Sequence, residues 1–371
     1  MTNRAIAHVR LRNSRLVGPP LPTPEDVVGW FGAVQSQDVP GALWGIAQRL
    51  SPEARPSIDS IGADMDDGRF VRTHALRPTW HFLVPGELRW IQALTGGRVH
   101  QVARTMYRRV GLGPDEFRRA DAAMVDALRG GHALTRDELA GAVAPTGIDL
   151  ADGLVITHVA MHAELDALIV SGPRRGKQAT YMLADERIPS ASAMAPPDAL
   201  RELTVRYFQS HGPALVHDMA WWSGLTVTSV REGIELAGDA LEGRRVDGKD
   251  YWAAVGAFDP EPGLVPEPHV LLLPNYDEAL GSYRDYSPVM DDALPRAHGV
   301  NDVLGAHIVV RDGFVVGGWR RALARDRVTV TVTLLIALTA DELDALDVAA
   351  ADFGRFLGLP VDLRVAVAKP D

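Results

Sequence analysis

The chain has 371 residues, no cysteine and a formal net charge of −10 at pH 7. The missing thiols exclude disulfides, zinc sites built on thiolates, iron–sulfur clusters and a thiolate nucleophile. The charge argues against non-specific polyanion binding by the whole surface but leaves room for a local basic face.

Apolar residues make up 46% and charged residues 23%, the balance of a globular protein. Domains of roughly 100–200 residues are usual, so two or three are expected. The N-terminus lacks the basic, apolar and cleavage regions of an export signal. The longest apolar run, residues 328–338, is broken by threonines and too short for a bilayer. A cytoplasmic protein without membrane contact is expected.

Thr23-Pro24-Glu25-Asp26 reads as a capped helix start, and the helix should run to about Val34. Pro40 opens a second helix near residues 43–50, and a third covers residues 58–65. Residues 70–84 read as extended around Pro78, and residues 85–95 as another helix. Short helices followed by a strand pair is the order of a winged helix-turn-helix. The order returns at residues 114–129, where Phe117, Ala120, Met124, Ala127 and Leu128 form one stripe. Thr135 with Glu138 opens the next helix, residues 156–169 form a third, and residues 170–183 form a hairpin. It returns again with helices at 199–209, 215–223 and 226–237, then strands at 246–255 and 269–273. Gly224 suits the corner between the last two helices.

The tail differs. Asp312-Gly313 between alternating apolar residues is a strong hairpin signal. Residues 327–336 add a strand, and Thr339 caps a final helix, Ala340–Leu357. The expectation is an α+β fold of three tandem winged helix-turn-helix units. They cover residues 1–112, 113–190 and 191–371, the last carrying a C-terminal β-hairpin region.

Several residue groups are candidates for chemistry. On a helix, Gln35 and Gln37 would face nearly opposite sides. Val39 precedes a proline, which favours extended backbone, and in extended chain positions i and i+2 share a side. Two glutamines would then face one cleft; the plainer reading is a polar helix end. In residues 72–81 an extended chain puts Arg77, Thr79 and His81 on one face, for phosphate or base contact. The alternative is a structural wing with Trp80 in the core. His74 and His81 lack a third ligand at metal-binding spacing, so no metal is expected.

Basic clusters occur at Arg104, Arg108 and Arg109, at Arg174, Arg175 and Lys177, and at Arg320, Arg321, Arg325 and Arg327 behind Trp319. Charge clusters are usually solvated surface. Two of these lie on or beside hairpins, where arginines suit phosphates or the minor groove. Asp277 with Arg284 is expected as a structural ion pair, with paired acids for acid–base work as the lesser alternative. No phosphate-binding glycine loop, nucleophile elbow or dinucleotide fingerprint is present, and no cofactor is expected.

The Gln35-Ser36-Gln37 motif, residues 72–81, residues 272–278 with 281–285, and the Asp312-Gly313 hairpin together resemble the AlkZ-like winged-helix DNA glycosylases. This is a bacterial group that includes self-resistance enzymes of antibiotic producers. The resemblance spans nearly the whole chain. It implies three winged-helix units in a C-shape with a concave DNA-binding surface. It implies a catalytic glutamine–x–glutamine motif, at Gln35 and Gln37, where a sister branch has an acid in the second position. It implies N7-alkylated purines in double-stranded DNA as substrates, including bulky adducts and crosslinks. A basic hairpin contacting DNA maps to Trp319, Arg320, Arg321, Arg325 and Arg327. A monomer is expected.

The chemistry is consistent with those substrates. An amide has no useful pKa and is no strong base, but it can fix a water near the anomeric carbon. N7-alkylguanine is cationic and leaves neutral, so weak catalysis suffices. Asp38 adjoins the motif, but its neighbouring position points it elsewhere. Two other readings remain at this level: a non-catalytic winged-helix regulator, and a protein that sequesters the free genotoxin.

Overall fold

The computed structural model describes residues 2–53, 56–188, 194–258, 268–290 and 307–368. Helix α1 (Asn3–Asn13) leads into α2 (Pro24–Phe31), which opens where the Thr23 hydroxyl accepts from the Asp26 amide. Gly32, at φ +80°, ends α2 two residues before the short strand β1 (Val34–Gln35). Helices α3 (Val39–Ala47) and α4 (Ile58–Asp66) precede a hairpin, β2 (Val71–Ala75) and β3 (Thr79–Leu83). Strand β3 lies between β1 and β2. Val39 is the first residue of α3 rather than extended, because the chain bends one residue earlier, at Asp38.

A second group follows: α5 (Pro85–Arg109), α6 (Pro114–Leu128), β4 (Leu134–Thr135), α7 (Arg136–Val143) and α8 (Gly153–Leu165). Its hairpin is β5 (Ile169–Arg175) and β6 (Gln178–Leu183), closed by α9 (Ala184–Arg187). Helix α5 runs on through Gly96 and Gly97, where the sequence suggested a stop. A side chain at Gly96 would sit 3.0 Å from the Leu165 carbonyl, so this glycine permits a close crossing with α8 instead of breaking the helix.

The third group is α10 (Pro196–Ser210), α11 (Val216–Ser223), α12 (Val227–Ala237) and the pair β7 (Leu241–Val246) and β8 (Lys249–Ala254). The tail contains β9 (Val270–Leu273), α13 (Glu278–Gly281), β10 (His307–Arg311), β11 (Phe314–Leu323), β12 (Val328–Leu334), α14 (Ala340–Leu357) and β13 (Val361–Val367). These strands form one sheet in the order β13-β12-β11-β10-β9, so β9 joins the tail and not β7–β8. Asp312 and Gly313 both have positive φ, as a two-residue type I′ hairpin requires. Strand β13, reached through α14, pairs parallel to β12.

The tail sheet packs on the first group. Phe31 and Trp44 share a core with Leu272, Trp319, Val330 and Phe353. The second group has a core of its own, from Val99 to Leu183. The third core joins α10–α12 to Ala75 and Leu76 at the end of the β2–β3 hairpin and to Trp90 and Ile91 of α5. That hairpin therefore touches every group.

Gly224 seats the hairpin tip. It lies at φ +69° between α11 and α12, and a Cβ there would meet the Leu76 carbonyl at 2.3 Å. Gly224→Ala combines backbone strain with this clash. It should lower stability by about 1–3 kcal/mol, read as a drop in the urea midpoint.

Candidate active site

The Gln35–Gln37 segment is fixed through main chain and side chain alike. The Gln35 amide donates to Glu278 Oε1 at 2.6 Å, and Gln35 Oε1 accepts from Arg77 Nη2 at 2.8 Å. The Ser36 amide donates to the Trp80 carbonyl at 2.8 Å, and the Ser36 carbonyl accepts from Arg72 Nε at 3.1 Å. The Trp80 amide in turn donates to Gln37 Oε1 at 3.3 Å. Both glutamine oxygens thus meet the same hairpin, from an extended segment beyond the end of α2. The two residues differ in access: Gln35 is 8% exposed, while Gln37 faces solvent.

Glu278 lies beneath this segment, buried at the start of α13. Besides the Gln35 amide it takes hydrogen bonds from His211 Nε2 at 3.2 Å, Trp222 Nε1 at 3.0 Å and the Ser282 hydroxyl. Burial pushes its pKa up, but His211, Ser282 and the Gln35 amide outweigh burial and bring it down to about 2. The carboxylate is therefore ionised at neutral pH.

Above Gln35 is a pocket of about 150 Å³ lined by Gln35, Arg77, Trp221, Asn275, Tyr276 and Tyr286, among others. Trp221 is 48% and Tyr276 41% exposed, so two aromatic faces border it. The Arg77 guanidinium lies 5.2 Å from the Trp221 ring centre. Beyond Gln37, Asp38 turns away and accepts from Arg321 Nη2 through both oxygens at 2.8 Å. This contact holds the β11–β12 hairpin beside the motif.

Several sequence-derived site residues are not at the surface. His81 is fully buried, and its Nδ1 donates to the Thr79 carbonyl. Burial first, then Arg77, lowers its pKa to about 3, so it is a neutral core histidine and not a DNA contact. Trp319 is 1% exposed and donates from Nε1 to the Leu273 carbonyl at 2.8 Å, which places it in the core beneath the hairpin. Arg174 forks onto Asp66 at the end of α4 through Nε and Nη2, and Arg321 reaches Asp38 through Nη2 alone; both are ties between elements. Asp277 pairs with Arg49, at 2.7 and 3.0 Å, and not with Arg284. Arg175, Lys177, Arg320, Arg325 and Arg327 are exposed, and Arg77 is half-buried.

Residues 72–81 form a structural hairpin that also touches the motif. The Arg72 guanidinium lies 4.3 Å from the Trp80 ring centre, and His74 packs beside that ring at 4.4 Å. Glu278 was not singled out from sequence. Its signal was an acid following a buried strand, too common a pattern to select.

The Glu278 pKa gives a testable pH dependence. Its folded value lies below the ordinary value of 4.5. Its stabilisation is therefore complete above about 4.5 and disappears as pH falls toward 2. Glu278→Gln should be less stable than wild type at pH 7, and the gap in urea midpoint should close progressively below pH 4.5.

Comparison with known proteins identifies the family. A family model described as DNA glycosylase AlkZ-like matches residues 28–356. A curated interstrand DNA cross-link repair glycosylase of Streptomyces sahachiroi is 26% identical over 321 residues, 80% of this chain and 82% of that protein. The solved structure of Streptomyces sahachiroi DNA glycosylase AlkZ matches the fold with a TM-score of 0.77 at 23% identity, covering 99% of this chain and 100% of that one. The chain belongs to the AlkZ-like DNA glycosylase family and is a DNA glycosylase, a hydrolase of N-glycosyl bonds.

Proposed function

We propose that this enzyme is a monofunctional, monomeric glycosylase that releases cationic N7-alkylguanine adducts, including bulky and crosslinked ones, from duplex DNA. The observation that carries this reading is the placement of Gln35 and Gln37. Two neutral amides are fixed by their oxygens on one rigid hairpin, and one of them reaches solvent. An amide oxygen has two acceptor positions, so each can still orient a water by its O–H. Neither is basic enough to drive departure of an ordinary base, so the leaving group must already carry positive charge.

Pocket size would leave a large lesion outside the pocket. A space of about 150 Å³ is smaller than the roughly 300–1,000 Å³ of ordinary ligand sites. A bulky adduct would remain outside it, against Trp221 and Tyr276, while the sugar approaches the glutamines. The relative's naming as a cross-link repair enzyme is in keeping with this.

For DNA contact we assign the exposed arginines of the β11–β12 hairpin, Arg320, Arg325 and Arg327, with Arg175 and Lys177 on the β5–β6 hairpin. The Arg327–Asp326 and Arg175–Glu138 pairs are surface pairs. Such pairs contribute little and can yield to phosphate. Each group of helices with its hairpin is read as a winged-helix unit, residues 1–112, 113–190 and 191–371, the three forming a concave DNA-facing surface.

Release of N7-alkylguanine from alkylated duplex should fall about 10²-fold in Gln37→Ala, and borohydride should trap no covalent enzyme–DNA species. Unchanged release would remove Gln37 from the mechanism. A sequence-specific footprint without base release would favour a regulator. In an Arg320→Ala, Arg325→Ala, Arg327→Ala variant, damaged and undamaged duplex should both bind more weakly. Its salt slope should be shallower by about 1 for each phosphate that is no longer neutralised.

A further inference from the structure

A second cluster of chemically capable side chains lies on the helical second group, away from the glutamine motif. Helices α5 and α8 cross at Gly96, and one turn beyond the crossing His100 of α5 meets His162 and Asp166 at the end of α8. His100 Nε2 lies 3.1 Å from Asp166 Oδ1, and His162 Nδ1 lies 3.4 Å from Asp166 Oδ2. The three donor atoms fall within 4.8 Å of one another, the one such group of three among the described residues.

We propose that His100, His162 and Asp166 form a binding site for a divalent transition-metal ion of the zinc type. The donor set and spacing are suitable. Zinc bonds of about 2.0–2.1 Å in a tetrahedron put ligand atoms roughly 3.3–3.4 Å apart. The two nitrogen–oxygen separations, each to a different Asp166 oxygen, are close to that edge, and donors that now lie within 4.8 Å of one another would draw together on the ion.

Hydrogen bonding alone does not account for the cluster. His162 Nδ1 is buried and makes no hydrogen bond, and Asp121 Oδ1 of α6 is likewise buried without a partner. Asp121 lies within electrostatic reach of Asp166 and His100. A cation would engage the His162 nitrogen and draw in the Asp121 carboxylate as fourth donor, tying α5, α6 and α8 together.

The rings are already oriented. His162 stacks on Phe117, with ring centres 3.7 Å apart and an angle of 15°. His100 Nδ1 lies 3.2 Å from the Tyr107 hydroxyl oxygen. His100 Nε2 itself donates to Asp166 Oδ1; a cation would take the place of that proton and bind the Nε2 lone pair, with Nδ1–H then donating to Tyr107, the outer-shell arrangement that metal-binding histidines commonly show.

The test is a titration of the full-length, chelator-treated protein with Co²⁺ as spectroscopic probe. The expected result is one ion per chain with the visible absorption of a tetrahedral site, displacement by Zn²⁺, and a raised thermal midpoint. His100→Gln and His162→Gln should lose the signal, as should Asp166→Asn at a half-exposed helix end that tolerates change. Tyr107→Phe should weaken binding about 10- to 100-fold. Base release should stay at the wild-type level in all four variants. Absence of saturable binding in the wild type would overturn the proposal, and so would equal binding by Asp166→Asn.

Discussion

A buried negative charge organises the active-site region. Removing a carboxylate from water is costly unless hydrogen-bond donors replace the water. Glu278 obtains its donors from β1, the end of α10, α11 and α13. Elements from the first group, the third group and the tail must therefore meet at one point. Gln35 is one of the donors, so the constraint that satisfies the charge also fixes the backbone of the motif. Removing any one donor leaves the carboxylate under-solvated.

The β2–β3 hairpin supplies the other half of the frame. Trp80 is held between Arg72 and His74, and His74 is anchored by a buried hydrogen bond to Glu164 of α8. Gln92 of α5 donates to Thr73, to the His74 carbonyl and to the Glu164 carbonyl. The Trp80 amide and carbonyl then project toward β1 and hold Ser36 and Gln37. Weak catalytic groups gain most from such rigidity, since an amide works by position and not by proton affinity. The second group thus supports the motif without touching it.

Much of the fold was readable from local chemistry. Thr23, Thr135, Thr226 and Thr339 mark helix starts where the structure has them. Asp312-Gly313 marks its hairpin. What failed depended on partners distant in sequence. Gly96 looks like a stop until Leu165 of α8 is seen against it. Strand β13 alternates apolar and polar residues from Val361 to Val365, but it is half-exposed, and its parallel place beside β12 follows from a partner reached only through α14. In the site, Gln35 and Gln37 could be singled out locally. Trp319 beside four arginines could not be told from a DNA-contacting aromatic, because its carbonyl partner, Leu273, is 46 residues away. Asp277 found Arg49 across 228 residues, where proximity suggested Arg284. Surface arginines are visible in sequence; which of them are tied to Asp38 or Asp66 is not.

The enzyme thus combines a rigid segment, proposed here as catalytic, with an open approach bordered by Trp221, Tyr276 and a tethered arginine hairpin. The most direct test is a crystal structure of the full chain on a duplex carrying a cationic ring in place of the lesion's sugar, a mimic of the charge that develops as the base leaves. The account predicts that ring at the mouth of the Gln35 pocket, with an ordered water between it and Gln37, about 3–3.5 Å from the carbon that corresponds to C1′. A ring seated elsewhere, or a water positioned by a carboxylate instead of the amides, would contradict it.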